Sequence, residues 1–311
     1  MIEAAALTAL ALDAAIGWPG WLYRRVGHPV GCFAQLIAAG ERRWNRTDYA
    51  DLTRRYLGSI AMLALLIVSG GIGLMCEYAA RMLAGPWAWL PIAFAAWPGL
   101  AQRSLHAHFQ PVRRALMRND LPAARTAVAK IVGRDTDRLD ARGVARAAIE
   151  SLAESFCDGV IAPLFWLMLL GLPGLWMYKA INTADSLIGH PEEPLRAYGW
   201  AAARIDDGAN FIPARLSAIL LCLAGMGGWR VAWRDHGSHA SPNAGWPEAA
   251  MAGALHIRLA GPVQYDGQVS PKAWIGSGAD PDGDAMDRAG RVYLRACALA
   301  WIGVGGVAWL A

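Results

Sequence analysis

Apolar and polar positions fall in long blocks along this chain rather than alternating residue by residue. The longest apolar block, residues 57–76 (LGSIAMLALLIVSGGIGLMC), has about the 20 residues a helix needs to cross a bilayer. Its small residues Ser69, Gly70, Gly71 and Gly73 predict a face that packs closely on another helix. Four further blocks predict embedded helices: 87–100, framed by tryptophans and interrupted by Pro91 and Pro98; 160–178, containing Pro163 and Pro173; 211–233, with Arg215 in its first turn; and 293–310. Proline-interrupted helices are tolerated where neighbouring protein satisfies the freed backbone groups. The two prolines of 160–178 predict a re-entrant or half-buried helix. Residues 1–17 lack a basic leader and carry Glu3 and Asp13, so a retained membrane or interfacial helix is expected there rather than a cleaved signal.

The blocks between carry the charge. Residues 24–56 hold Arg24, Arg25, Arg42, Arg43, Arg46, Arg54 and Arg55, and a second basic segment covers 103–146. The positive-inside rule puts both in the cytoplasm, with the link around Gly85 outside. The second basic segment predicts helices. Asp120 is placed to cap one, with Pro122 in its first turn and Gly133 at its end, and Asp135 or Thr136 opens the next. Residues 234–256 predict a loop followed by an amphipathic helix, and the Gly-, Pro- and Asp-rich stretch 261–284 predicts irregular structure. The expected fold class is all-α: a polytopic membrane bundle with re-entrant or Pro-broken helices and amphipathic cytoplasmic helices. It forms one domain over 1–311, with a basic helical arm at about 103–158.

Composition supports that class. Of 311 residues, 55% are hydrophobic and 17% charged, and mean hydropathy is +0.26. Fifteen Trp suit membrane interfaces and 34 Gly suit close helix packing. The net charge of +4 comes with no nucleic-acid-binding motif, so no nucleic-acid partner is expected. The five cysteines are scattered without a Cys-x-x-Cys pair and predict reduced, mostly buried thiols. There is no Walker A sequence, so any nucleotide is held by other means.

Polar constellations sit at the edges of the apolar blocks. Glu150, Glu154 and Asp158 are four residues apart, which stacks three carboxylates on one helical face. Such a face is either solvated and balanced by Arg142 and Arg146, or holds a hard cation such as Mg²⁺ that removes the repulsion. In YKAINTADSLIGH, Lys179, Asn182 and Ser186 share a face with Asp185 beside it, suited to phosphate and metal or to a simple snorkelling helix end. In WAAARIDDGANFIPARLSA, Asp206 and Asn210 are four apart, Arg204 and Asp207 flank them, and Arg215 enters the next apolar block. Asn243 and Glu248 surround a helix start expected at Pro247, either an anion site or an ordinary cap. His106, His108, His236 and His239 lack further ligands and read as surface histidines, Cys157 reads as structural, and DPDGDAMD (280–287) reads as a polar loop and helix start.

Several of these stretches together resemble one family. Leu12-Asp13, His28-Pro29-Val30, LIAAGERR, QRSLHAHF, IVGRDTDRLD, ESLAESFCDGVIAPLFW, YKAINTADSLIGH, GWAAARIDDGANFIPARLSA and SPNAGWPEAAMAGALHIRLAGPVQYDG occur in order over most of the chain. They are similar to the adenosylcobinamide-phosphate synthases of cobalamin biosynthesis, the CobD/CbiB family. The chain departs from that pattern at Ser155, where the family often has Asn, at Gly189-His190, commonly Gly-Tyr, and across PEEPLRAYG.

The resemblance implies a multi-pass inner-membrane ligase. It would attach (R)-1-amino-2-propanol O-2-phosphate, or aminopropanol, to a propionate carboxylate of adenosylcobyric acid, consuming ATP with Mg²⁺. Catalytic carboxylates are then expected among Glu154, Asp158, Asp185, Asp206 and Asp207, with Glu150, Glu154 and Asp158 as the Mg²⁺ ligands. Substrate and phosphate contacts are expected from His28, Arg134, Asp135, Lys179, Asn182, Ser186, Arg204, Asn210, Arg215, Asn243 and Glu248. The site would face the cytoplasm, beside other cobalamin-pathway enzymes or alone. The rival readings are a non-catalytic corrinoid-binding membrane protein or transporter and a soluble two-domain enzyme. The first suits broken helices, and no inverted repeat is visible.

Overall fold

The structure, a computed structural model, describes residues 1–133, 135–265, 268–270 and 273–310. In chain order its helices are α1 (Ile2–Ala15), α2 (Gly20–Val26), α3 (Pro29–Trp44), α4 (Asp51–Ala84), α5 (Trp89–Ala96), α6 (Gln102–Met117), α7 (Leu121–Val128), α8 (Ala141–Phe156), α9 (Ala162–Ile188), α10 (Leu195–Tyr198), α11 (Trp200–Ala209), α12 (Phe211–Gly225), α13 (Trp229–Asp235), α14 (Gly245–Leu255) and α15 (Gly283–Leu310). Two short antiparallel pairs precede α15: β1 (Leu259–Ala260) with β4 (Trp274–Ile275), and β2 (Val263–Tyr265) with β3 (Gln268–Ser270). The chain packs as two compact units. The first comprises Met1–Ala101, Ala162–Asn210 and the last turns from Val304; the second comprises Gln102–Ile161 and Phe211–Gly303.

In the first unit α4 packs on α9. The expected small-residue face is there. A Cβ on Gly73 would lie 2.8 Å from backbone atoms of Leu172 and Pro173, and one on Gly70 would lie 2.9 Å from Met177 Sδ. Gly71 faces open space instead. The apolar block 57–76 lies inside this 34-residue helix, which has Asp51 in its first turn and Arg81 in its last, both favourable to the helix dipole.

The expected half-buried helix over 160–178 is part of a longer element, and its interruption has one location. Gly171 adopts φ 69° and ψ −155°, outside helical geometry. The break frees the Leu172 N–H, which donates to Glu77 Oε2 of α4 at 3.0 Å. Pro173 has no N–H to satisfy and sits where the helix resumes. Pro163 lies in the first turn of α9, where proline is compatible with helix.

The block 87–100 is not a span. It forms the eight-residue α5, flanked by 3₁₀ turns that contain Pro86 and Pro98. Ile92, Ala93 and Ala96 are fully buried in this segment, and α5 packs on α1, whose Ala5, Ala6, Ala9 and Leu10 are also fully buried. One face is thus buried in protein, while Trp87 and Phe94 remain exposed on the other.

In the second unit, Asp120 caps α7 as expected, accepting from Ala123 N at 3.0 Å. That helix ends at Val128, before the expected Gly133. The next is opened by Asp140, which accepts from Gly143 N at 2.7 Å, and not by Asp135 or Thr136. The core gathers Phe109, Ile149, Phe156 and Tyr293; the last two rings meet edge to face at 5.8 Å. The block 211–233 divides into α12 and α13, because Met226 (φ 53°) and Gly228 (φ 93°) turn the chain between them. The helix expected to be amphipathic, α14, is buried on nearly every face, since its Ala and Gly side chains admit α12, α13 and α8 around it. Asp282 opens α15, accepting from Ala285 N at 2.8 Å. Within the stretch expected to be irregular, the β2–β3 pair forms, and β4 pairs with β1 just ahead of it.

Among the described residues three helical stretches are long and apolar enough to cross a membrane: Asp51–Trp87, Ala141–Ile188 and Gly283–Leu310. Two bent pairs, α1 with α2 (108°) and α11 with α12 (48°), raise the number to five if each is one span. The fold is thus an all-α, polytopic membrane protein with a broken helix.

Candidate functional site

The second half of α9 changes character along its length. Leu172, Leu175 and Trp176 are buried and apolar, while Lys179, Asn182 and Asp185 are half-buried and polar. Helical periodicity puts these three, with the exposed Ser186, on adjoining turns of one face. The following α11 brings further charge to that face. The Asp185 carboxylate lies within electrostatic reach of Asp207, His190 and Arg204. Arg204 and Asp207, three residues apart on α11, pair at 3.1 Å.

Asp206 is held differently. Asn210, 3% exposed, donates from Nδ2 to Asp206 Oδ2 at 3.0 Å, and its Oδ1 accepts from Tyr178 Oη at 3.0 Å. The Asn210 amide is thereby fixed at both ends. At the start of the face, Lys179 lies within electrostatic range of His28. His28 caps α3, its Nδ1 accepting from Val30 N at 3.3 Å, and its ring meets Trp18 at 5.0 Å. Burial, aided by the Lys179 charge, pushes the His28 imidazole below its ordinary pKa of 6.5. His28 is therefore neutral at pH 7, with the accepting Nδ1 unprotonated and the proton on Nε2.

The second unit holds the remaining sequence candidates. Arg215 on α12 donates to the Phe211 carbonyl (2.6 Å) and to Asn243 Oδ1 (3.1 Å), and its guanidinium lies over Phe211 and Trp246. Trp246 in turn stacks on His236 at 3.9 Å. Ser241 Oγ accepts from the backbone N–H groups of Asn243 and Ala244, and Glu248, 3% exposed, lies 3.7 Å from His239. The helix here begins at Gly245, two residues before the expected start, with Pro247 inside its first turn.

The acidic trio does not form the expected cation cage. Among the described residues no group of three His, Cys, Asp or Glu side chains is arranged to hold a metal ion. The expectation assumed one uniform α-helix. Instead α8 ends at Phe156 and Asp158 lies in a π-helical turn, Cys157–Ile161, so the three do not lie on a single α-helix. Glu150 is also engaged elsewhere, its Oε1 accepting from Ala260 N of β1 at 2.7 Å. Glu154 is exposed and Asp158 half-buried. Asp135 turns its carboxylate to its own loop, accepting from Asp137 N, and Arg134 lies outside the described residues.

Sequence reasoning missed one cluster in this unit. Asp280 accepts from Arg258 Nε and Nη2 (2.8 and 2.9 Å) and from Arg146 Nη2 (2.9 Å), and both guanidiniums lie over Trp274 at 4.4 and 4.6 Å. The arginine hydrogen bonds hold the Asp280 carboxyl down at about 2. The partners come from four separate stretches, so no local pattern announces them. His236 and His239, expected on the surface, are also part of packed contacts here.

Comparison with known proteins gives a consistent picture. The sequence profile described as CobD/Cbib protein matches residues 6–293. A cobalamin biosynthesis protein CobD of Rhodobacter capsulatus is 46% identical, over 98% of this chain and 96% of its own length. Proteins of the same name from Sinorhizobium sp (45%, covering 93% of each chain) and Brucella suis biovar 1 (42%, covering 90% and 88%) are similar throughout. No solved structure matches. Near-complete coverage by both kinds of comparison establishes that the chain belongs to the CobD/Cbib family of cobalamin biosynthesis proteins.

Proposed function

We propose that this protein is an ATP-dependent amide ligase of cobalamin biosynthesis, joining aminopropanol phosphate, or aminopropanol, to a propionate carboxylate of adenosylcobyric acid. The observation that carries this reading is the polar face of α9 and α11. Two carboxylates, Asp185 and Asp207, lie within electrostatic reach of each other, and Arg204 pairs with Asp207, at the end of an apolar helix that also carries Lys179. A carboxylate does not react with an amine unaided, so its oxygen must first become a leaving group. Transfer of the γ-phosphoryl group of ATP to the propionate gives an acyl phosphate and ADP. The amine nitrogen then attacks the acyl carbon, the C–O bond to phosphate breaks, and the nitrogen loses a proton.

Each step asks for groups this face contains. Mg²⁺ takes one or two protein carboxylates and fills its other positions with phosphate oxygens and water. The Asp185–Asp207 pair fits that donor set, whereas the Glu150–Glu154–Asp158 trio does not. Bound there, Mg²⁺ would neutralise phosphate charge. Lys179 and Arg204 supply fixed positive charge for the transferring phosphoryl group. Asp206, held by Asn210, would accept the amine proton. In the second unit, Arg215, oriented by Asn243, is a separate candidate anion contact. The basic segments 24–56 and 103–146 favour a cytoplasmic site in a multi-pass inner-membrane protein.

The test is mass spectrometry of detergent-purified protein given adenosylcobyric acid, ATP, Mg²⁺ and aminopropanol phosphate. An amide product that requires ATP supports the ligase. The break at Gly171 favours one alternative, a corrinoid carrier, since transporters use discontinuous helices. Bound corrinoid with neither product nor ATP consumption would select that alternative.

A further inference from the structure

The first unit contains an apolar groove of about 310 Å³ between α3 and α4 that the proposed chemistry does not use. Its floor is Ile37, Met62, Leu65 and Tyr198, all buried, and its open edge is formed by the exposed Leu36, Ala64 and Val68. Burial, together with the Glu41 carboxylate, pushes the Tyr198 phenol up to about 12, so the floor stays uncharged. One end of the groove differs. Arg43 and Trp44, in the last turn of α3, stand there, and Arg43 is exposed and makes no ion pair or hydrogen bond among the described residues.

The direction of the groove follows from the helices. Residues 45–50 join α3 to α4, so the two helices run back along each other, with Arg43 and Trp44 at the Ala61 end and Leu36 at the Val68 end. From Ala61 to Val68 the helix rises about 10 Å. The apolar edge lies in the stretch of α4 that satisfies the length and hydropathy of a membrane span. The charged end lies toward the arginine-rich start of that helix. A long apolar slot with a cation and an interfacial tryptophan at its mouth matches a molecule with an alkyl chain and an anionic head. A corrinoid, rimmed with amides, would leave polar groups unpaired on this floor.

We propose that this groove binds one anionic phospholipid, an acyl chain lying along α3 and α4 and the headgroup phosphate on Arg43. The arginines at 42, 43, 46, 54 and 55 favour the cytoplasmic leaflet, where anionic lipids concentrate.

The test is native mass spectrometry of the detergent-purified full chain, titrated with phosphatidylglycerol and with phosphatidylcholine of the same chains. The wild type should retain one phosphatidylglycerol and prefer it about fivefold, the effect of one arginine near an anionic head. Arg43→Gln should abolish the preference while still binding both lipids. Ala64→Phe, which fills the slot, should lower retention of both about tenfold. If Ala64→Phe lowers the melting temperature sharply, Val68→Trp serves in its place, and the exposed Arg43→Gln stands independently. An unchanged preference in Arg43→Gln, or unchanged retention in the filled-groove variant, would overturn the proposal. So would one-for-one displacement of the lipid by adenosylcobyric acid, which would assign the groove to the substrate.

Discussion

Tyr178 on α9 donates to Asn210 at the end of α11 across 3.0 Å, and Asn210 passes the constraint to Asp206 at the same distance. Two helices are thus registered through one buried amide whose oxygen and nitrogen have different obligations. Asn210→Asp keeps the size but replaces a donor with a second carboxylate beside Asp206. Turnover should fall about 100-fold, whereas Tyr178→Phe, which removes one hydrogen bond worth about 1 kcal/mol, should retain most activity. Steady-state assay of the two variants beside wild type separates these outcomes. Equal losses would mean that the Tyr178 contact, not the Asp206 contact, sets the geometry.

Asp185→Asn and Asp207→Asn each remove one anionic oxygen donor from the proposed cation pair. Each should reduce the rate about 10²- to 10³-fold and raise the Mg²⁺ concentration needed for half-maximal rate. A Mg²⁺ titration of activity measures both. A fall in rate with unchanged Mg²⁺ dependence would assign these carboxylates to a role other than holding the cation.

The family resemblance, rather than the geometry of α9 and α11, counts Asp158 among the catalytic carboxylates, and on that ground Asp158→Ala should abolish turnover while membrane insertion and yield stay normal, read by product formation and by recovery in washed membranes. The trio does not form a cage, so Glu154→Gln, at an exposed position, should be far milder. Near-wild-type activity in Asp158→Ala would remove that residue from the reaction.

Glu77 receives the amide freed at the break in α9, and Arg81 pairs with the same carboxylate at 2.6 Å. Glu77→Ala leaves the Leu172 N–H without its acceptor and should cost about 1–3 kcal/mol. Glu77→Gln, which preserves an acceptor oxygen, should cost less. Gly171→Ala should be worse than either, because its Cβ would collide with the Glu77 carboxylate at a backbone angle that side chains rarely adopt. Denaturation midpoints in one detergent order the three.

His28 gives a pH signature. Its pKa in the folded protein is lowered, so below the ordinary value of 6.5 the unfolded chain binds a proton that the folded one refuses. Stability should therefore fall as pH drops through 6.5 and level off once the folded imidazole also protonates. His28→Asn keeps an acceptor for the Val30 N–H but cannot titrate, and should flatten that slope. Melting temperatures between pH 7.5 and 5 measure it. An identical slope in the variant would place the titration elsewhere.

What could be read from the chain was mostly local. Ser69, Gly70 and Gly73 announced a packing face because small residues in an apolar run have few other uses. Asp120 announced a cap because its acceptor is three residues away. The break at Gly171 was hidden because Pro163 and Pro173 are louder signals, and because its stabilising acceptor, Glu77, arrives from another helix. The block 87–100 misled because hydropathy does not distinguish lipid from protein as the apolar neighbour. The carboxylate trio misled because four-residue spacing fixes a shared face but not the partner each side chain finds, and Glu150 turns to the Ala260 N–H of β1. Of the site, α9 and α11 were legible as polar blocks; that Asp185 comes within electrostatic reach of Asp207 was not, since it depends on the turn between them.

A continuous helix transmits every change along its whole length: one residue added at its start turns everything beyond by about 100°. The interruption at Gly171 stops that transmission. The half of α9 that carries Lys179, Asn182 and Asp185 takes its rotational phase from Gly73 and Glu77 of α4, against which it is seated. The rotational phase of the charged face is thus set by the helix it rests on, and not by the count of residues in the turns that precede it.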